Sequence, residues 1–150
     1  MRIVIQRVSH ASVTIEGQVK SSIGKGYLIL QGIEEGDTEE DIEWLVKKVK
    51  GLRIFDDENH IMNKSIMDVN GDIIVVSQFT LMASYKKGNR PSWIKAAKHE
   101  ISIPLYNHFV KRLSEEISKP VGTGEFGADM KVELLNDGPV TICMDTKNKE

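Results

Sequence analysis

Hydrophobic and polar residues alternate through the first part of the chain. Within residues 2–33, the apolar Ile3 and Ile5 stand two positions apart, as do side chains on one face of a β-strand. A turn is indicated at residues 16–17, and a glycine-marked break at residues 24–26 precedes another apolar run. The pattern therefore predicts consecutive strands that pair antiparallel.

Two amphipathic helices are predicted further along. Thr38 can cap the free N–H groups at a helix start, and Gly51 suits a helix end. The apolar face between them is Ile42, Leu45, Val46 and Val49. A second helix is predicted by apolar residues at four-residue spacing, and Pro104 is tolerated only in or near its first turn. These residues are Leu105, Phe109, Leu113 and Ile117.

Short apolar runs predict the remaining strands. They cover residues 52–55, the β-branched run 72–81, and residues 128–135 and 140–144, which flank a Gly-Pro pair. Two helices among seven or more strands indicate an α+β domain, in which helices cover one face of an antiparallel or mixed sheet. We find no linker or repeat, so residues 1–150 are expected to form a single domain.

Length and cysteine content indicate the size of the core and the cellular environment of the protein. A chain of 150 residues can bury a real core as one domain. The lone Cys143 cannot form an intramolecular disulfide, and it fits a reducing, cytoplasmic environment. No apolar run is long enough for a signal peptide core or a membrane span.

The overall charge gives no sign of nucleic-acid binding, because the net charge is −2 and the isoelectric point is near 6.1. Five cations nevertheless gather around a loop at residues 84–92, where they could contact phosphate. A solvated basic face is the alternative. The five are Lys86, Lys87, Arg90, Lys95 and Lys98.

Side-chain catalysts are hard to find. If residues 72–81 are extended, Gln78 and Thr80 share one face at a strand end. A Thr80 nucleophile would need an adjacent base, and none is visible in the sequence. Metal binding is unsupported, because one cysteine and four scattered histidines form no zinc pattern. This absence alone favours a binding module over an enzyme.

Two short motifs change that interpretation. They are Ser77-Gln78-Phe79-Thr80 and the segment 136–141, which contains Gly138-Pro139, where a cis peptide bond costs little. Together with residues 2–9, 88–92 and 123–130, they resemble the D-aminoacyl-tRNA deacylase (D-tyrosyl-tRNA(Tyr) deacylase) family, over nearly the whole chain. The resemblance implies that family's α+β fold, with a barrel-like core and two helices on one face.

The resemblance also implies a function. The expected enzyme is a homodimeric hydrolase that removes D-amino acids from tRNA and also glycine from alanine tRNA. It is expected to need no cofactor and to have no DNA or membrane partner. The 2′-hydroxyl of the tRNA would assist catalysis. Backbone N–H groups of Phe79 and Thr80 would stabilise the oxyanion, with Ser77 and Gln78 beside them. The implied site thus needs no protein base.

Selectivity is implied to come from Gly138-Pro139. The resemblance implies that this peptide bond is cis and that the two residues enter the active site of the other subunit. There a backbone carbonyl would accept a hydrogen bond from the substrate ammonium, and no room would be left for an L side chain. Lys86, Lys87 and Arg90 are expected to contact tRNA phosphate. Two alternatives stay open at this point: a noncatalytic RNA-binding or interaction domain, and an esterase with Thr80 as nucleophile.

Overall fold

The computed structural model describes residues 1–150, and a 14-residue strand organises it. The strands are β1 (Arg2–Ile15), β2 (Gln18–Ile23), β3 (Gly26–Gly32), β4 (Phe55–Asp56), β5 (Met62–Lys64), β6 (Asp72–Ser77), β7 (Gly122–Thr123) and β8 (Lys131–Asp145). The helices are α1 (Glu39–Gly51) and α2 (His99–Ile117), and a 3-10 turn spans Phe79–Met82. No helix is both long and apolar enough to cross a membrane.

Strand β1 is paired along both of its edges. One edge pairs antiparallel with β8 over almost its whole length, and the other pairs antiparallel with β3 and then β2. Strand β3 continues the sheet through parallel pairing with β6, which pairs with β7. The Ser21 hydroxyl of β2 then bridges to Thr123 of β7, donating to its carbonyl (2.5 Å) and accepting from its N–H (3.0 Å). The result is a nearly closed, mixed barrel, so the predicted α+β class with a barrel-like core is confirmed.

The two faces of the sheet are covered unequally. On the helix side, 19 buried residues form the main core, to which β1 contributes Ile3 and Ile5. On the other side the hydrophobic cluster has six buried residues, among them Val8, Val13 and Leu28. The helices lie on one face, as predicted, and the opposite face has a thin core.

Helix α1 begins and ends as its sequence predicts. The Thr38 backbone N–H donates to Asp41 Oδ2 (2.8 Å), and three acidic residues occupy the first turn, where the helix dipole favours negative charge. All four residues of its predicted apolar face are buried. Helix α2 begins at His99, so Pro104 lies in its second turn and removes one N–H donor there. The buried face of α2 also includes Tyr106, whereas Leu105 is only half-buried.

The predicted strand over residues 72–81 is wrong in its second half. Strand β6 ends at Ser77, and the chain then turns back over Gly32 of β3. A Cβ at Gly32 would lie 2.9 Å from Leu81 Cβ and 3.1 Å from the Gln78 carbonyl oxygen, so the absence of a side chain there makes room for the 3-10 turn. The two strands predicted around Gly138-Pro139 are one strand, β8, interrupted by a bulge.

Candidate active site

The Ser77 to Thr80 motif lies at the end of β6, and backbone hydrogen bonds hold it there. The Gln78 N–H donates to the Gln31 carbonyl of β3 (2.7 Å), and the Leu81 N–H donates to the Gln78 carbonyl (3.2 Å). Phe79 and Thr80 are the first residues of the 3-10 turn, where backbone N–H groups have no acceptor within the turn. Two adjacent donors are therefore held on a fixed backbone.

The side chains of Gln78 and Thr80 contact each other, although not on a strand face as predicted. Gln78 Nε2 donates to Thr80 Oγ1 (2.5 Å), and this is the hydroxyl's only hydrogen bond within the chain. An amide cannot accept the hydroxyl proton at neutral pH, so Thr80 has no base beside it.

A cleft of about 700 Å³ opens beside this motif. It is bounded by the end of β6, the first turn of α2 and the segment 126–130, and Ser77, Gln78 and Phe79 line it whereas Thr80 does not. Its size is typical of a site for a small organic group. The larger apolar side chains of the wall are those of Ile33, Val76, Phe79, Phe126, Met130 and Val132.

Tyr106 links helix α2 to β6, the strand that ends at the Ser77 to Thr80 motif. Its hydroxyl donates to the Val75 carbonyl of β6 (2.7 Å), and burial raises the pKa of Tyr106 to about 12. The hydroxyl therefore stays protonated at neutral pH and acts as an anchor, not as an acid or base. This hydrogen bond ties α2 to β6 below the first turn of the helix.

Gly138 and Pro139 lie elsewhere on the surface. Between the pairs Gln6–Thr141 and Val8–Asn136, β1 has one residue, whereas β8 has the four residues 137–140. The surplus bulges outward, its Gly138–Pro139 peptide bond is cis, and both residues are exposed. Neither residue lines the cleft of the same chain.

Arg7 supports this bulge, a role that the sequence pattern did not indicate. The residue is 7% exposed. Its Nε donates to the Asp137 carbonyl (2.7 Å), and its Nη1 donates to the Ile54 carbonyl (2.6 Å). Asn136 Nδ2 closes the bulge from the other side by donating to the Val140 carbonyl (3.0 Å). The exposed Gly-Pro projection is thus rigidly supported from below.

The predicted basic segment forms a loop next to the motif. Ser84 and Ser92 pair through two backbone hydrogen bonds (2.9 and 2.8 Å) that close the loop. Behind it, Trp93 meets the Phe79 ring edge to face, with ring centroids 5.3 Å apart. Lys98 lines the cleft. The three residues predicted to contact tRNA are exposed and form no ion pair within the chain: Lys86, Lys87 and Arg90.

Comparison with known proteins agrees with the motifs. A family model described as D-Tyr-tRNA(Tyr) deacylase matches residues 4–145. Proteins named D-aminoacyl-tRNA deacylase from Bacteroides thetaiotaomicron and Phocaeicola vulgatus are 75% and 72% identical over 150 residues, and each match covers all of both chains.

Solved structures share the fold. One described as c-Myc DNA Unwinding Element Binding Protein has a TM-score of 0.90 at 41% identity, covering 97% of this chain and 99% of its own. Another, described as a probable eukaryotic D-amino acid tRNA deacylase, has a TM-score of 0.81 at 16% identity, covering 95% and 97%. The second likeness concerns the fold alone.

Proposed function

The chain belongs to the D-Tyr-tRNA(Tyr) deacylase family and is a hydrolase of D-aminoacyl-tRNA, and from this premise we propose that the cleft beside Ser77 to Phe79 holds the aminoacylated 3′ end of the tRNA. The observation that carries this placement is the motif itself, which lines a cleft of about 700 Å³ with two backbone donors at its edge. The ester would lie at the motif, and the terminal nucleoside would fill the cleft.

The tRNA supplies the missing catalytic hydroxyl in this proposal. Thr80 Oγ1 is bonded only to an amide, which favours a mechanism without a protein nucleophile. The substrate's 2′-hydroxyl, next to the ester, would pass its proton to the departing 3′ oxygen and take up the proton that the attacking water loses. The N–H groups of Phe79 and Thr80 would stabilise negative charge on the carbonyl oxygen. Removing one such donor typically lowers kcat by about 10²–10³-fold.

The Gly138-Pro139 projection would provide chiral selection in the partner's cleft. A 10⁴-fold preference for D over L requires about 5.5 kcal/mol, which a steric clash with an L side chain can supply. The Gly138 carbonyl would accept from the substrate ammonium. Support comes from its exposure, its bracing by Arg7 and its absence from the cleft of its own chain.

A homodimer is required by this arrangement, and the surface of the single chain supports it. The chain exposes 8854 Å², whereas a compact monomer of this mass exposes roughly 7,700 Å². The outer edge of β8 is unpaired over its whole length, and Leu135 on it is 53% exposed. Long free edges with apolar side chains are typical of surfaces that pair with another chain.

Glycyl-tRNA(Ala) follows as a second substrate, because glycine has no side chain for the projection to reject.

The loop cations Lys86, Lys87 and Arg90 would contact phosphates of the acceptor stem. Charged tRNA is used in the cytoplasm, so we place the enzyme there.

The decisive experiment compares purified protein on D-tyrosyl-tRNA, L-tyrosyl-tRNA and glycyl-tRNA(Ala), and on D-tyrosyl-tRNA ending in 2′-deoxyadenosine. We expect rapid release of D-tyrosine and glycine, little release of L-tyrosine, and very slow turnover of the 2′-deoxy substrate. Equal turnover of the D and L esters would contradict chiral selection. A covalent adduct trapped on Thr80 would favour the alternative of a protein nucleophile.

A further inference from the structure

Two buried polar side chains in the cleft have no hydrogen-bond partner. Gln31 is 2% exposed and Ser102 is 4% exposed, and both line the cleft beside the motif. Gln31 Oε1 and Ser102 Oγ make no hydrogen bond within the chain. A buried polar atom without a partner lowers stability, so such atoms usually have a functional partner or a bound water.

The surroundings fix the orientation of Gln31. Its Nε2 donates to Met1 Sδ (3.2 Å), which leaves Oε1 as the free end of the amide. Its backbone carbonyl meanwhile accepts from the Gln78 N–H, so the same residue supports the catalytic motif. Gln31 therefore presents a positioned acceptor one strand away from the reacting ester.

Ser102 lines the same cleft from helix α2. It lies in the first turn of α2, where its N–H donates to the Lys98 carbonyl (2.8 Å). Just before this helix, the Ala97 N–H donates to the Ile33 carbonyl (2.9 Å), which ties the helix start to the end of β3. The Ser102 hydroxyl can donate or accept.

We infer that Gln31 and Ser102 read the edge of the terminal adenine, with Gln31 Oε1 accepting from the exocyclic amine and Ser102 Oγ donating to N7. An adenine edge presents this donor and acceptor side by side, whereas guanine presents two acceptors. The apolar wall formed by Ile33, Val76, Phe126 and Met130 suits the flat faces of a base. The two residues are specificity-determining, and they do not take part in bond cleavage. The inference rests on the proposed placement of the terminal nucleoside in the cleft.

The test combines substrates that lack one group of the adenine with variants that lack the side chain proposed to bind that group. D-tyrosyl-tRNA ending in purine riboside lacks the exocyclic amine, and D-tyrosyl-tRNA ending in 7-deazaadenosine lacks N7. Wild-type protein should lose about tenfold in kcat/KM on each, because a buried partner is left unpaired. Gln31→Met should lose about as much on the normal substrate, with no further loss on purine riboside. Ser102→Ala should behave in the same way towards 7-deazaadenosine.

Stability separates recognition from a structural role. Replacing an unsatisfied buried group by an apolar one is expected to leave the melting temperature unchanged or raised while kcat/KM falls. The matched controls Gln18→Met and Ser22→Ala make the same chemical changes at exposed positions of β2 and should change neither quantity. If Gln31→Met does not fold, the Ser102→Ala arm and both wild-type measurements still decide.

Two outcomes overturn the inference in different ways. If wild-type protein hydrolyses both edited substrates at the normal rate, no group of the protein reads this edge of the base and the inference fails, whereas the proposed function stands as long as D-tyrosyl-tRNA is cleaved in preference to L-tyrosyl-tRNA. If wild-type protein discriminates but Gln31→Met and Ser102→Ala discriminate equally well, the placement stands and these two residues are not its readers.

Discussion

Gly138→Ala should disable the partner's active site without unfolding the protein. A Cβ at this position would lie 2.1 Å from the Val140 backbone nitrogen and 2.9 Å from Val140 Cγ2. The backbone must move to restore ordinary contact, which begins at 3.4 Å. The shift is therefore about 1 Å, and a misplacement of that size can cost about 10²-fold in rate.

The assay compares D-tyrosyl-tRNA deacylation with melting temperature and dimer mass. We expect kcat/KM to fall about 10²-fold, with the dimer retained, because the altered turn is exposed and lies outside the core. Gly24→Ala is the matched control, since a Cβ there has no neighbour within 4 Å. An unchanged rate for Gly138→Ala would refute a role for this projection.

A mixed dimer tests whether the projection serves the other subunit. Phe79→Pro removes one proposed oxyanion donor at the first position of a helical turn, where proline is tolerated, and Phe79→Ala controls for the lost ring. A heterodimer of Gly138→Ala and Phe79→Pro chains contains one site with an intact cleft and an intact projection. Its rate should be about half that of wild type. A rate no higher than that of either parent would show that the projection acts in its own chain.

Three further predictions address catalysis, RNA binding and the anchor of α2. Thr80→Ala should retain substantial activity, because the backbone N–H survives; an inactive variant with normal turnover of the 2′-deoxy substrate would contradict the RNA-assisted mechanism. Replacing the three loop cations by alanine should weaken binding to different tRNAs alike and flatten its salt dependence. The three cations are Lys86, Lys87 and Arg90. If the salt dependence of tRNA binding is unchanged in the triple variant, these residues are only a solvated basic surface. A duplex DNA competitor checks that the measured binding is to tRNA. Tyr106→Phe should lower the free energy of unfolding by about 1 kcal/mol in urea titrations, because it loses the bond to the Val75 carbonyl. The pH profile of activity near neutrality should not change, since the pKa of Tyr106 is about 12.

Local patterns predicted the elements whose causes are local. Helix α1 is an example, because its cap, its acidic first turn and its apolar face all lie within residues 38–51. The strand end at Ser77 depends instead on Gly32, which is distant in sequence and makes room for the 3-10 turn. The apolar pattern of residues 72–81 does not reveal that contact, and the predicted strand is therefore too long.

The residues that line the candidate cleft were predicted only in part, because some lie in one motif and others are brought there by packing. Ser77, Gln78 and Phe79 were predicted together and line one cleft. The unpartnered atoms of Gln31 and Ser102 become visible only when β3 and α2 meet. Arg7 left a weak signal, since it follows Ile3 and Ile5 at the spacing that puts a side chain into the core. A buried cation on an apolar face needs acceptors, and here they are the Asp137 and Ile54 carbonyls and the Asp56 carboxylate.

An enzyme whose catalytic hydroxyl came from the tRNA, as proposed above, would depend on the position of its own backbone. A backbone N–H is the same group in every residue but proline, so its catalytic value comes entirely from where the chain holds it. The Gln78 N–H is tied to β3, the turn rests on Gly32, and Tyr106 holds the neighbouring helix to β6. Substitutions at these supports should therefore lower kcat even where the motif's own side chains are unchanged, whereas side-chain changes within the motif that spare the backbone should be tolerated.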